Sequence, residues 1–113
     1  MTDALSLTLG ALADPTRRAI LARLSQGKAS VKELAAPHQI SLAAVSRHIK
    51  VLETAGLVTR TKNAQWRYCQ LEAAPMRDVV KWLDLYRRYW DDSLDQLSEY
   101  LTDLQSGDKS RPQ

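Results

Sequence analysis

Positions 76, 80, 83, 87, 90, 94, 97, 101 and 104 of this chain are spaced alternately by four and three residues, and all but one are apolar. They are Met76, Val80, Leu83, Trp90, Leu94, Leu97, Leu101 and Leu104; Arg87 is the exception, with Tyr86 beside it to supply apolar surface. This spacing is the seam of a helix that packs along another helix. From Pro75 to Leu104 such a helix would run about 45 Å at 1.5 Å per residue, longer than a domain of this size covers by itself. The alternative is a helix packed wholly within its own subunit. The length and the Leu/Trp seam favour a twin, so a homodimer is expected, with Leu83, Tyr86, Trp90, Leu94, Leu97 and Leu101 in its interface.

The preceding residues read as short elements with clear stops. Leu5, Leu9 and Leu12 follow helical spacing before Asp14-Pro15, where Asp14 caps a second helix and Pro15 takes its first position. That helix turns Ile20, Leu21 and Leu24 inward and stops at Gly27. Ser30 and Glu33 form a capping box for a short third helix, which Pro37 ends. Ser41 caps a fourth helix, whose apolar face is Leu42, Val45, Ile49 and Leu52. Gly56 then stands where a left-handed cap is wanted, with Leu57 folding back towards Leu52.

Beyond Gly56 the period changes. Leu57–Thr61 and Trp66–Leu71 are rich in β-branched and aromatic residues and flank the polar link Lys62–Gln65, which reads as a β-hairpin with a basic tip. Three short helices, a well-capped fourth and a basic hairpin make a winged helix-turn-helix. The fold class is therefore mainly α with a small β-hairpin, in the order α-α-α-α-β-β-α. Residues 1–105 read as one domain, and 106–113 as a polar, frayed tail.

Charge is informative by its placement. The net value is only +3. Yet residues 1–72 hold ten Lys/Arg against five Asp/Glu, and 73–113 hold six against eight. Between 41 and 71 the basic residues Arg47, Lys50, Arg60, Lys62 and Arg67 face only Glu53. With one side of the fourth helix buried, Ala43, Ala44, Arg47 and Lys50 fall on the open side, where small residues allow close entry into a major groove. Ser41 and the free amides of the helix start suit a phosphate. Arg60, Lys62, Gln65 and Arg67 of the wing suit the DNA backbone or a neighbouring minor groove. Ser46 and His48 flank the reading face. They join the DNA-contact candidates, with a packed role for His48 equally open.

At these residues the chain resembles ArsR-type winged-helix transcriptional repressors. The resemblance is carried by Leu12-Ala13-Asp14-Pro15-Thr16-Arg17-Arg18-Ala19-Ile20-Leu21 and by Val45-Ser46-Arg47-His48-Ile49-Lys50-Val51-Leu52-Glu53-Thr54-Ala55-Gly56-Leu57-Val58. It extends through Trp82-Leu83 and Tyr86–Trp90 to a branch without metal-sensing cysteines. It implies a homodimeric bacterial repressor whose first and last helices form the interface, which adds Leu5, Leu9 and Leu12 to the dimer residues. The family wing usually carries Gly-Arg at its tip; here the tip is Ala64-Gln65.

Other function classes find little support. A single Cys, Cys69, excludes an internal disulfide framework and a four-Cys zinc site. The third helix has neither Cys nor His, and the last helix offers Asp84, Asp91, Asp92 and Asp95 without a His, so no metal and no cofactor are expected. Cys69 alternates with Leu71 and reads as a half-buried structural thiol. No nucleophile–base pair or Gly-rich phosphate loop appears, so the chain is not expected to be an enzyme. No apolar run is long enough to span a bilayer, and Met1–Ala4 lacks the basic start of a secretory leader. The expectation is a cytoplasmic DNA-binding regulator whose partners are operator duplex and its own twin, with no membrane partner and an unidentified inducer. A two-fold dimer would place its reading helices about 34–36 Å apart on a pseudo-palindrome. The alternative is a helical interaction module that uses only the last helix.

Overall fold

The computed structural model describes residues 3–63 and 66–110. Side-chain caps set its helix starts, those at Asp14, Ser30 and Ser41 as expected and one at Asp3 besides. Asp3 caps α1 (Ala4–Leu12), accepting from Ser6 N at 3.1 Å. Asp14 caps α2 (Pro15–Leu24), accepting from Arg17 N at 3.0 Å, and Pro15 occupies a first-turn position where no amide is required. α3 (Val31–Ala35) opens on the reciprocal box, Glu33 N donating to Ser30 Oγ and Ser30 N to Glu33 Oε1, both at 3.2 Å. Ser41 starts α4 (Leu42–Thr54), its hydroxyl accepting from Ala44 N at 3.1 Å.

The hairpin consists of β1 (Val58–Asn63) and β2 (Trp66–Leu71), antiparallel, with Val58 opposite Leu71, Arg60 opposite Cys69 and Lys62 opposite Arg67. The first strand runs further than expected, so only residues 64–65 join the strands. A third segment adds to the sheet at one point. Cys69 N donates to Ala29 O at 2.8 Å and Ala29 N to Cys69 O at 3.2 Å, which fastens the wing to the chain just before α3.

The core forms where these elements converge. Ile20, Leu21 and Leu24 of α2, Leu34 of α3, Val45, Ile49 and Leu52 of α4, and Leu57, Val58 and Cys69 are all buried. α1 contributes Ala11 and Thr8, whose hydroxyl donates to Ala4 O and so enters the interior satisfied. Leu42 departs from the expected buried face and is 47% exposed. Side chains lean towards a helix's amino end, so the first residue of α4 overhangs the packed layer rather than entering it.

The expected single C-terminal helix is two. α5 spans Met76–Asp84 and α6 spans Arg87–Ser110, with a turn at Leu85-Tyr86. There Leu85 N bonds to Trp82 O and Tyr86 N to Leu83 O, three residues back instead of four; the four-residue pattern resumes with Trp90 N to Tyr86 O. The break falls beside Arg87, the one polar position of the seam. Arg87 pairs with Asp84 at 3.4 Å and Asp91 at 3.9 Å on either side of it. α6 remains helical through 106–110, residues that the sequence pattern assigns to a frayed tail. Contacts divide the chain into two compact units, one up to Val80 and one from Lys81 on.

Candidate nucleic-acid interface

The site is built on α4 and the wing. Burying Val45, Ile49 and Leu52 turns Ala43, Arg47, Lys50 and Val51 to solvent, as the helical period requires. Ala44 and Ser46 are half-buried at the edge of this face, and Ser41 is exposed at its start.

Strand pairing places the wing charges. Residues directly opposite one another project to one face, so Arg60, Lys62 and Arg67 share the face of Cys69, which is 1% exposed. Nearer the core that face is sealed; further out it carries charge. Lys62 and Arg67 are like charges in directly opposed positions, an unfavourable pairing in the free protein. Arg60 is held by Glu53 at 3.5 Å. Among the described residues no ion pair engages Arg47, Lys50, Lys62 or Arg67. Between wing and helices lies a cavity of about 440 Å³ lined by Val31, Leu42, Ser46, Arg60, Thr61, Lys62, Arg67, Tyr68 and Cys69. Gln65, the remaining wing candidate, lies outside the described residues.

His48 sits on the other flank. Its Nδ1 lies 3.2 Å from Arg17 Nη1 and 3.9 Å from Asp14 Oδ2, so the ring meets the start of α2. Arg17 itself is a residue that periodicity does not reveal. Its Nε donates to Ala11 O at 2.7 Å and its Nη2 to Gly10 O at 3.1 Å, closing the end of α1. The signal available in the sequence was the Asp14-Pro15 helix start, which fixes where a residue of the following turn emerges. The amide of Arg17 holds the Asp14 carboxyl below the usual carboxylate range, with smaller help from the Arg17 guanidinium. Burial pushes the Cys69 thiol up, against a smaller opposing pull from Arg60.

The expected interface residues divide between the units. Leu5 and Leu9 of α1 are half-buried, and Leu12 packs against the core. In the second unit Leu83, Tyr86, Trp90, Leu94, Leu97 and Leu101 are between 45% and 57% exposed, an apolar stripe open along its length. Among the described residues no three His, Cys, Asp or Glu side chains gather as a metal-holding group, and no helix is long and apolar enough to cross a membrane.

Comparison with known proteins matches this geometry. A helix-turn-helix domain family matches residues 12–61. The chain is 44% identical over 80 residues to the HTH-type transcriptional regulator Rv2034 of Mycobacterium tuberculosis, covering 71% of this chain and 72% of that protein. It is 30% identical over 73 residues to the transcriptional repressor SdpR of Bacillus subtilis, covering 65% and 81%. A crystal structure of an ArsR family transcriptional regulator superposes with a TM-score of 0.72 at 40% identity, over 79% of this chain and 98% of that one. The homodimeric winged helix-turn-helix DNA-binding domain of Mb0332 from Mycobacterium bovis gives a TM-score of 0.59 at 26% identity, over 83% and 84%. With α4 as its second helix of the helix-turn-helix and the β1–β2 hairpin as its wing, the chain belongs to the ArsR family of transcriptional regulators.

Proposed function

We propose that this regulator is a homodimeric, cytoplasmic repressor that occupies a pseudo-palindromic operator and carries out no chemistry of its own. The observation that carries the reading is the cationic surface shared by α4 and the wing. Arg47 and Lys50 stand exposed on one side of the cavity's helix, and Lys62 and Arg67 face each other unpaired on the hairpin. Such a surface gains most from a polyanion, which relieves the Lys62–Arg67 repulsion and releases counterions from the duplex. The start of α4 enters the major groove, with Ala43 and Ala44 permitting close approach and Arg47 reaching a guanine edge or a phosphate. Ser41, Ser46, Lys50, Arg60, Lys62, Gln65 and Arg67 fix register on the backbone.

Dimerisation through α1 and the apolar stripe of α6 would present two such surfaces about one DNA turn apart. Support for it comes from the stripe itself and from the homodimeric Mb0332 domain. On this reading residues 1–105 act together in DNA binding and dimerisation, with 106–113 a polar tail. No metal or cofactor has a part, and the inducing signal is a separate matter from the operator.

The test is titration of the purified protein against duplex from its own upstream region and against random duplex, across a salt series. A preference for the upstream duplex, with affinity falling steeply as salt rises, supports the reading. Equal affinity for both duplexes at physiological salt would falsify it.

A further inference from the structure

The guanidinium of Arg17 makes three contacts, two to the end of α1 and one to α4. It rises from the first turn of α2. It closes the end of α1 through Ala11 O at 2.7 Å and Gly10 O at 3.1 Å, and its remaining nitrogen, Nη1, reaches Nδ1 of His48 on α4 at 3.2 Å. The cluster is half-buried, Arg17 and His48 each being partly covered. No other side chain among the described residues bonds both a carbonyl of α1 and a side chain of α4.

A guanidinium only donates, so the contact to His48 exists only while Nδ1 is a bare acceptor. Protonation removes that acceptor and sets an imidazolium against a permanent cation at the same distance. The nearest carboxylate, Asp14, is 3.9 Å from the ring and already accepts from Arg17 N. It would draw a protonated ring away from Arg17 rather than restore the link. Other charges on the elements around α4 are committed or placed elsewhere: Glu33 of α3 pairs with Arg23, Arg60 of β1 pairs with Glu53, and α1 carries no titratable side chain after its cap, Asp3. Arg18 of α2 donates to Leu12 O at 2.7 Å, and Lys32, Lys62 and α4's own Arg47 and Lys50 form no ion pair among the described residues.

We propose that Arg17 is a positioning residue for DNA recognition, holding α4 to the end of α1 through unprotonated His48, so that taking up a proton at His48 loosens the reading helix and weakens operator binding. The inference rests on α4 being the reading helix. It has a sign that a direct role for His48 would reverse. A histidine facing phosphate strengthens binding as it gains charge, and any added positive charge favours duplex in general. Positioning through Nδ1 predicts the opposite for the specific site.

The experiment uses the full chain and a duplex enriched from a random-sequence pool by the wild-type protein at about pH 8, where imidazoles are neutral. Affinity for that duplex and for random duplex is measured from about pH 8 down to about pH 6. The wild type is expected to lose roughly tenfold in specific affinity, the worth of about one hydrogen bond, while random-duplex affinity holds or rises. His48→Asn keeps an acceptor near the Nδ1 position without a titrating group. It is expected to bind the duplex at the upper pH and to show a flat profile. Arg17→Gln is expected to be weak and flat, with thermal unfolding reporting whether it folds; His48→Asn decides the matter if it does not. Specific affinity that rises or stays level on acidification in the wild type overturns the inference. So does a His48→Asn profile that falls on acidification as the wild type's does. No preference for the enriched duplex at any pH removes the DNA-reading assignment itself, and the inference with it.

Discussion

Leu57 N donates to Leu52 O at 2.9 Å across Gly56, and both leucines are fully buried. The bond closes α4 and turns the chain directly into β1. Leu57 O in turn accepts from Glu72 N at 2.8 Å, just past the end of β2. One buried residue therefore joins the end of the reading helix to both strands of the wing. The separation between α4 and the wing is set by backbone bonds in the core, not by surface side chains.

Gly56 makes that turn possible, with φ at 78° in the left-handed region. A Cβ there would lie 3.5 Å from Pro75 Cγ, an ordinary contact, so Gly56→Ala meets no steric block. What remains is the backbone penalty of a left-handed L-residue, about 1 kcal/mol or somewhat more. Urea unfolding is expected to show a loss of that order with an unchanged slope. A larger loss would mean that the Leu57–Leu52 bond breaks as well.

The helix caps give the protein an acid limit. The Asp14 carboxyl is held low chiefly by the Arg17 amide, and that of Asp3 by the Ser6 hydroxyl and amide. A carboxyl whose folded pKa lies below its unfolded value adds stability above the unfolded value, here 3.8, and loses it as pH falls through the folded one. Unfolding midpoints should therefore be level from neutral pH down to mildly acidic solution and fall below about pH 4. Asp14→Asn retains a good capping side chain without the charge. Its midpoint should stay near the wild type at neutral pH and decline less in acid.

Most of this fold could be read from local chemistry, and the departures share a cause. Asp14, Ser30, Ser41 and Gly56 specify their helix ends by bonds within a few residues, so sequence alone places them. Leu42 satisfies the period of α4 yet lies exposed, because period does not say where the packed layer ends. Likewise the seam over 76–104 reads as one helix, because a lone Arg in a heptad does not announce a turn; the break falls beside Arg87, which pairs with Asp84 and Asp91 on either side of it. The DNA-facing candidates followed from charge and helical face. Arg17 did not, since its partners at Gly10, Ala11 and His48 come together only in three dimensions.

The Cys69 thiol should be slow to react. The residue is only 1% exposed, and burial raises its pKa. A disulfide reagent at neutral pH is expected to label it only at the rate of unfolding, and promptly in denaturant. A group with a raised folded pKa contributes stability below its unfolded value, here 9.0, which is lost as pH climbs past that point towards the folded one. Cys69→Ser tests the packing, since it adds a hydroxyl where Ala29 already takes the local backbone bonds. It should destabilise by about 1–3 kcal/mol, the usual range for a buried polar group without a partner.

Arg47 and Lys62 should separate reading from holding. On the proposed reading Arg47→Ala removes a side chain from the groove and is expected to weaken specific binding by about 1–3 kcal/mol while sparing random duplex. Lys62→Ala removes a wing charge that the proposal assigns to the DNA backbone. It should weaken both duplexes alike and reduce the salt slope by about 1. If Lys62→Ala changed sequence preference and Arg47→Ala did not, the roles of helix and wing would be exchanged.

Leu97 offers the sharpest test of the dimer, because monomer and dimer predict very different costs for one substitution. In a single chain Leu97 is 51% exposed, so replacing it by Glu removes apolar surface from water and places charge in solvent at almost no cost. In a two-fold interface built on the stripe from Tyr86 to Leu101, the same change buries two uncompensated carboxylates against Trp90 and Leu94. Leu97→Glu is therefore expected to convert the protein to monomer in light scattering and, with only one reading helix per particle, to lower operator affinity steeply. A variant that stays dimeric with unchanged affinity would place the interface on another face of the chain.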